Sequence, residues 1–170
     1  MEELPTIRHL AEADEEQILK LWEGLGYYNR VRNMQTAART VVCEYEGVLP
    51  ASYEELLSLK GIGNYTAGAI ASIAYQIPVP AVDGNVLRVI SRITEDRQDI
   101  MKQSVRRQIE ENLLGIMPEE TPGDFNQALM ELGAVVCVPN GPARCEACPV
   151  SEYCLAYRHG TVEELSLIHI

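Results

Sequence analysis

The chain has 170 residues, 46% of them hydrophobic, and a net charge of −11. It is long enough for one domain or two small ones with a real core. No apolar run approaches the roughly 20 residues that span a bilayer, so a membrane-spanning protein is excluded. The net charge argues against a generally basic nucleic-acid binder. Arginines nevertheless cluster near residues 30–39, 88–97 and 106–107, so a local basic face with salt-sensitive contacts stays open.

Hydrophobic residues recur with helical spacing along nearly the whole chain, and no stretch alternates convincingly with period two, which predicts an all-α fold. Ser52 and Glu55 form an S-x-x-E capping box. The predicted helices begin at or just after these residues: Asp14, Asn29, Ser52, Thr66, Asn85, Gln103 and Phe125.

Residues 59–70, LKGIGNYTAGAI, join a capped helix to a helix of small residues. Two glycines flank one apolar residue, a pattern that permits positive φ and lets the apolar residue plug between two helices. The free amides of the turn and of the next helix can then hold one phosphate. The pattern predicts a helix-hairpin-helix that grips the DNA backbone without reading sequence, through Gly61, Ile62, Gly63, Asn64 and Thr66.

Residues 81–88, AVDGNVLR, place Asp83 at a helix start, just after a proline-broken turn. An aspartate there is commonly a helix N-cap. From this segment alone that interpretation is favoured, because nothing in the local spacing makes Asp83 catalytic.

Four of the five cysteines fall within residues 137–154, at the spacing C-x7-C-x2-C-x5-C: Cys137, Cys145, Cys148 and Cys154. Two disulfides would need an oxidising compartment, and no secretion signal is visible. An intracellular metal site is therefore favoured. Zinc with four cysteines typically uses two C-x2-C pairs. The single pair here favours an iron–sulfur cluster over zinc, and both stay open.

The order of hairpin, VDGNV segment and four-cysteine tail resembles the iron–sulfur DNA glycosylases of the helix-hairpin-helix superfamily. Residues 21–33, LWEGLGYYNRVRN, look specifically like the adenine glycosylase branch, the MutY family. The resemblance covers roughly residues 4–158 in collinear order. One departure is the first cysteine interval, which is one residue longer than the commonest one in that family.

The resemblance implies removal of adenine mispaired with 8-oxoguanine or guanine in double-stranded DNA, by a monomer with a [4Fe–4S] cluster on the four cysteines. Asp83 would stabilise the cationic sugar. Tyr65 stands where the bifunctional relatives carry a nucleophilic lysine, which implies base removal without efficient strand cleavage, and it would line the pocket. Tyr28 would wedge into the duplex, with helix packing as the alternative for one of Tyr27 and Tyr28. Arg144 would lie on a DNA-facing loop shaped by the cluster.

The resemblance also implies a partial helical barrel domain over residues 1–79 and a helical cluster domain over 80–158, followed by a tail at 159–170. Residues 165–170 look like a library-adapter scar. The general-acid glutamate and the 8-oxoguanine-recognition domain have no counterpart here, so we expect the chain to be inactive or very weak alone. An endonuclease III-like glycosylase/lyase and a non-catalytic DNA-binding module are the alternative functions.

Overall fold

A computed structural model of the chain describes residues 3–165. This part of the chain contains nine α-helices and no strand, so the predicted all-α class is confirmed. None of the described helices is long and apolar enough to cross a membrane. The chain divides into two compact units, Met1–Gly63 and Asn64–Ile170. The domain boundary near residue 79 stays a prediction, and the suspected scar lies outside the described residues apart from Leu165.

The first unit contains four helices. They are α1 (Ile7–Glu12), α2 (Glu15–Leu21), α3 (Asn29–Glu44) and α4 (Tyr53–Ser58). The predicted cap of α4 is confirmed, because Ser52 Oγ accepts a hydrogen bond from the Glu55 amide at 3.4 Å. The periodicity analysis missed α1, a helix of six residues capped by Thr6. A helix this short offers too few apolar positions for a periodic signal.

The core of the first unit is formed by Ala13, Ile18 and Val31, with Trp22 packed against it. Gln35 is buried on α3 and donates from Nε2 to the Ala13 carbonyl at 2.6 Å. This bond satisfies a carbonyl at the end of α1, where the helix has run out of its own donors.

The second unit contains the other five helices. They are α5 (Asn64–Tyr75), α6 (Gly84–Thr94), α7 (Gln103–Leu114), α8 (Pro122–Glu131) and α9 (Leu155–His159). A π-helical turn, Leu132–Val136, follows α8, and the Cys137 amide donates to the Leu132 carbonyl at 2.7 Å. The helix predicted from Phe125 to Val136 therefore changes its hydrogen bonding halfway, which apolar spacing does not reveal.

The central element of the second unit is α6, whose side chains are buried on most sides. The main hydrophobic cluster gathers around it from the preceding loop and from α7: Val82, Val86, Leu87, Ile100, Val105, Ile109 and Leu113. The first half of α6 packs in this core, and Ile93 near its end packs against a second cluster of Cys154, Ala156 and Leu165. The helix therefore fixes the positions of Asp83 at its start and of the side chains that face the cysteines further along.

Candidate functional site

In the first unit, the hairpin turn depends on one of its two glycines. Gly61 has φ +82°, a conformation that residues with a Cβ rarely adopt, and a Cβ there would lie 2.6 Å from Asn33 Cβ. Ile62 is half-buried, and its amide donates to the Leu59 carbonyl at 3.1 Å. Gly63 has no left-handed backbone and open space around it. The turn therefore requires a glycine at 61 and tolerates other residues at 63.

In the second unit, α5 begins at Asn64 immediately after that turn. Asn64 is exposed and Thr66 is half-buried in the first helical turn. The first amides of a helix have no partner within the helix, so they are available to an external acceptor. Both predicted phosphate-binding residues thus lie at a helix start, as the sequence indicated, and their contact with DNA stays a prediction.

The turn before α3 presents an exposed tyrosine on a constrained backbone. Tyr27 is 84% exposed with φ +48°, while Tyr28 is 42% exposed and caps α3. Trp22 Nε1 donates to the Gly26 carbonyl at 2.8 Å and so fixes the turn. The Arg30 guanidinium lies 5.9 Å from the centre of the Tyr27 ring. Both tyrosines are exposed, and Tyr27 presents more of its side chain to solvent than Tyr28 does.

Asp83 is the N-cap of α6, as the local interpretation predicted. Its Oδ1 accepts a hydrogen bond from the Val86 amide at 2.8 Å, and its Oδ2 accepts one from Asn85 Nδ2 at 2.9 Å. The residue is half-buried. Both carboxylate oxygens are therefore held by hydrogen-bond donors of the same helix. The carboxylate is consequently fixed in direction while one side of it can be reached.

Tyr65 and Asp83 lie 18 positions apart in sequence, and the fold brings them close enough to interact. Partial burial, and secondarily the negative charge of Asp83, raises the pKa of the Tyr65 phenol. The hydroxyl donates to Met130 Sδ at 3.5 Å. The phenol therefore stays protonated and neutral beside the carboxylate.

The loop that leads into Asp83 is fastened by a residue that the sequence analysis did not select. Asn126 on α8 is 1% exposed. Its Oδ1 accepts from the Ala81 amide at 3.0 Å, and its Nδ2 donates to Ser72 Oγ at 2.8 Å and to the Val79 carbonyl at 2.9 Å. These three hydrogen bonds hold two backbone groups of the loop and one hydroxyl of α5. The sequence carried one indication that Asn126 is a buried, structurally important residue: an amide side chain on the apolar side of a predicted helix, next to Phe125.

Arg88, 1% exposed, connects the start of α6 to the first cysteine. Its Nη2 donates to Asn85 Oδ1 at 2.8 Å and to the Gly133 carbonyl at 2.7 Å, and its Nε donates to the Cys137 carbonyl at 2.8 Å. Burial lowers the pKa of the Arg88 guanidinium, whereas negative charge at the nearby Cys137 raises it. The group remains charged, because arginine does not lose its proton in proteins.

The π-helical turn after α8 approaches α6 closely at a glycine. A Cβ on Gly133 would lie 2.5 Å from Asn85 Cβ, closer than real Cβ contacts come. Since Asn85 also holds the Asp83 carboxylate, the turn that ends at Cys137 packs directly against the side chain that orients Asp83.

The four cysteines of the tail are free thiols that line one small cavity. The C-x2-C pair is shaped by a 3₁₀ turn in which the Cys148 amide donates to the Cys145 carbonyl at 3.1 Å. Burial raises the pKa of both thiols, and the other cysteines raise the pKa of Cys145 further. Arg144 is exposed on the same turn, where its amide donates to the Val136 carbonyl at 3.0 Å.

The cavity combines four thiols with a buried positive charge. A zinc ion bound by four thiolates brings their sulfur atoms to within about 4 Å of one another, because each Zn–S bond is about 2.3 Å. Among residues 3–165, no group of three or more ligand side chains is arranged to hold one ion. Arg92 also lines the cavity, and its buried Nε has no partner. Four thiolates would supply the negative charge that this guanidinium needs, and they are ligands of zinc and of iron–sulfur clusters alike.

The family comparison covers two thirds of the chain: residues 1–114 match the HhH-GPD superfamily of base excision DNA repair proteins. The chain is 44% identical to the adenine DNA glycosylase of Mus musculus over 99% of its length and 45% identical to that of Homo sapiens over 97%. It is 34% identical to that of Buchnera aphidicola over 89%. It spans about a third of the length of the two mammalian relatives, 33% and 30%.

Solved structures agree with the sequence relatives. A thermostable thymine-DNA glycosylase superposes with a TM-score of 0.80 at 27% identity, covering 92% of this chain and 72% of that one. Endonuclease III trapped as a covalent intermediate with DNA superposes with a TM-score of 0.78 at 26% identity, covering 94% and 73%. The predicted glycosylase fold is thus confirmed, and the chain belongs to the HhH-GPD superfamily of base excision DNA repair proteins.

Proposed function

We propose that this chain forms the Asp83-bearing part of an adenine DNA glycosylase, which hydrolyses the N-glycosidic bond of adenine mispaired with 8-oxoguanine or guanine. The observation that carries the proposal is the fixed carboxylate of Asp83 beside a neutral phenol, in a chain whose sequence relatives are adenine DNA glycosylases. A target adenine has to leave the duplex to reach such a site.

Asp83 supplies charge stabilisation. The bond breaks toward an oxocarbenium-like sugar, and a carboxylate near that cation lowers the barrier. The hydrogen bonds from Val86 and Asn85 fix the carboxylate before the reaction, so little reorganisation is needed when the positive charge develops. The proton for the departing base and the activation of water are assigned by resemblance to a glutamate that the sequence analysis did not find in this chain.

Tyr65 favours base removal without efficient strand cleavage. A glycosylase/lyase needs an amine nucleophile that forms a Schiff base, and a phenol that burial and Asp83 keep protonated is a poor nucleophile. Borohydride trapping on abasic DNA separates the two functions. We expect no covalent adduct from this chain, and a Tyr65→Lys variant serves as the positive comparison. A trapped wild-type adduct would favour the endonuclease III-like alternative.

Double-stranded DNA is the proposed partner, bound by a monomer through three places. The hairpin around Gly61, Ile62 and Gly63, together with the start of α5 at Asn64 and Thr66, takes a backbone phosphate. The tyrosine turn enters the duplex, and the exposure of Tyr27 makes it a stronger candidate than Tyr28 for the inserted ring. Arg144 on the cysteine turn adds a positive charge. Binding of a 25-base-pair duplex over a salt series measures the phosphate contribution.

The proposed cofactor is a [4Fe–4S] cluster held by Cys137, Cys145, Cys148 and Cys154, with zinc as the alternative. Its role is structural: when bound, it fixes the loop that carries Arg144 and takes no part in base removal. Iron and acid-labile sulfide in stoichiometric amounts are expected from anaerobically purified protein. Stoichiometric zinc without sulfide would show that the four cysteines bind zinc instead of a cluster.

Asp83→Asn is the decisive test of the enzymatic proposal. Adenine release is measured under single-turnover conditions from a duplex with one adenine opposite 8-oxoguanine. The assay uses the 170-residue chain and the chain extended upstream to the length of its relatives. In the extended chain we expect Asp83→Asn to lower the rate on the order of 100-fold or more, because the amide carries no charge. Wild-type activity in that variant would favour the non-catalytic DNA-binding alternative.

A further inference from the structure

The helix α6 carries two buried arginines one turn apart, and only one of them has its hydrogen bonds satisfied by the protein. Arg88 donates to the carbonyls of Gly133 and Cys137 and to Asn85 Oδ1. Arg92 is 4% exposed, and its Nε is the one buried side-chain nitrogen or oxygen in residues 3–165 without a hydrogen-bond partner. A buried donor left unpaired is costly, so a position that keeps one calls for an explanation.

The remaining contacts of Arg92 are directed at the cysteine cavity. Its Nη1 donates to Cys137 Sγ at 3.3 Å and to the Val138 carbonyl at 3.1 Å. The Arg92 carbonyl accepts from Cys154 Sγ at 3.4 Å. Arg92 therefore contacts two of the four cysteines directly.

Arg92 has no carboxylate paired with it in the described part of the chain, and its charge acts on the like-charged Arg88. An uncompensated buried guanidinium is strongly unfavourable, and it cannot escape by losing its proton. The compensating negative charge is available in the cavity, from cysteine side chains in their thiolate form.

We propose that Arg92 is the charge-compensating positioning residue of the four-cysteine site. It holds the Cys137 sulfur through Nη1 and keeps its Nε–H for a sulfide of the metal–sulfur group. The proposal rests on the cofactor proposed above. Hydrogen bonds and positive charge near such a group favour its reduced, more negative state, so they raise its reduction potential. Loss of Arg92 accordingly shifts the midpoint potential to more negative values, an effect that a purely structural role would not produce.

The test compares Arg92→Gln and Arg92→Lys with wild type in the full 170-residue chain, purified without oxygen. Iron and sulfide content, the visible spectrum and the midpoint potential are measured for each. Gln removes the charge, whereas Lys keeps the charge and loses the planar donor fork. We expect a negative shift for both, larger for Gln. The control is Arg97→Gln, because Arg97 is exposed, pairs with Glu164 and does not line the cavity. It should keep the wild-type midpoint.

The outcomes separate this inference from the cofactor on which it rests. Either Arg92 variant with full iron and sulfide and the wild-type midpoint would overturn the role of Arg92 and leave the cluster standing. If Gln prevents folding, the Lys variant decides by the same criterion. Wild-type protein that binds zinc, or no iron and sulfide, would overturn the cluster itself and the inference with it.

Discussion

The two halves of α6 support two sites that are completed in different ways. At its start, Asp83 receives hydrogen bonds from Val86 and Asn85, and Asn85 is held by Arg88, so the protein alone completes the arrangement. One turn after Arg88, Arg92 faces four free thiols with an unpaired Nε. The first half is preorganised by the chain, and the second is completed, in our proposal, by a bound metal group. We therefore expect the cysteine half to depend on a bound group and the Asp83 half to depend on packing.

The largest effect should follow removal of one cysteine ligand. Cys148→Ser takes away a thiolate, and loss of a bound metal group costs several kcal/mol of unfolding free energy because binding and folding of such sites are coupled. Hydrogen exchange should show lost protection at residues 137–154, while the Val86 amide at the start of α6 stays protected. The matched control is Cys43→Ser, an exposed cysteine on α3. Equal loss of protection at Val86 would break the comparison between the two halves.

The next effect should come from the amide that fastens the loop before Asp83. Asn126→Ala leaves the Ala81 amide and the Val79 carbonyl without their buried partner, at a cost of about 3 kcal/mol for two unsatisfied groups. Chemical denaturation measures the change, and faster exchange of the Ala81 amide locates it. Asn112→Ala on α7 removes the same kind of side chain from an exposed site and should change little. A similar cost for both variants would show that Asn126 contributes only helix propensity.

A smaller effect is expected at Gly133, where the π-helical turn that leads to the cysteines packs against Asn85 of α6. Gly133→Ala puts a methyl group 2.5 Å from Asn85 Cβ, and such overpacking costs about 1–3 kcal/mol. The displaced Asn85 should also change the chemical shift of the Asp83 carboxyl carbon. Gly115→Ala is the control, because the nearest atom to a Cβ there is 3.5 Å away, and it should be neutral or slightly stabilising. An unshifted Asp83 signal in Gly133→Ala would show that the cysteine turn does not influence the Asp83 carboxylate.

The smallest effect concerns the pH dependence of the contacts that Glu95, just after α6, makes with His159 and Thr161. Glu95 has φ +52°. Its Oε1 accepts a hydrogen bond from Thr161 Oγ1 at 2.7 Å, and its Oε2 lies 2.6 Å from His159 Nδ1. The hydrogen bonds with His159 and Thr161 lower the pKa of Glu95 below its ordinary 4.5. A depressed pKa means that the stabilisation is present above pH 4.5 and is lost as the pH falls through the folded-state value.

Glu95→Gln should therefore flatten the decline of the melting temperature below pH 4.5. The change should be modest, because the Glu95 side chain is partly open to solvent, which screens its charge. Glu163→Gln, an exposed carboxylate on the same C-terminal segment, is the matched control and should keep the wild-type decline. If Glu95→Gln and wild type lose stability equally at acid pH, the contacts of Glu95 do not contribute to the acid sensitivity.

Most of the helices could be predicted from the sequence because they follow local rules. Helical spacing located α2 to α8 to within a few residues, and the capping box at Ser52 is present as predicted. Apolar spacing did not reveal α1 and α9, because helices of six and five residues are too short for a periodic signal. It also did not reveal the π-helical turn, which it cannot distinguish from an α-helix. The site was only partly accessible, since Asn126 carries no motif and its partners are 45 to 54 positions away.

The sequence by itself determined the fold class, the superfamily and the residue types at the two sites, because motifs and periodicity are properties of neighbours along the chain. Only the tertiary structure placed Tyr65 beside Asp83, gave Arg88 its partners on the cysteine turn and left Arg92 with a free donor. These contacts join positions that packing brings together across long separations. Spacing along the chain carries no information about which buried donor will lack a partner, whereas burial and hydrogen-bond geometry decide it directly.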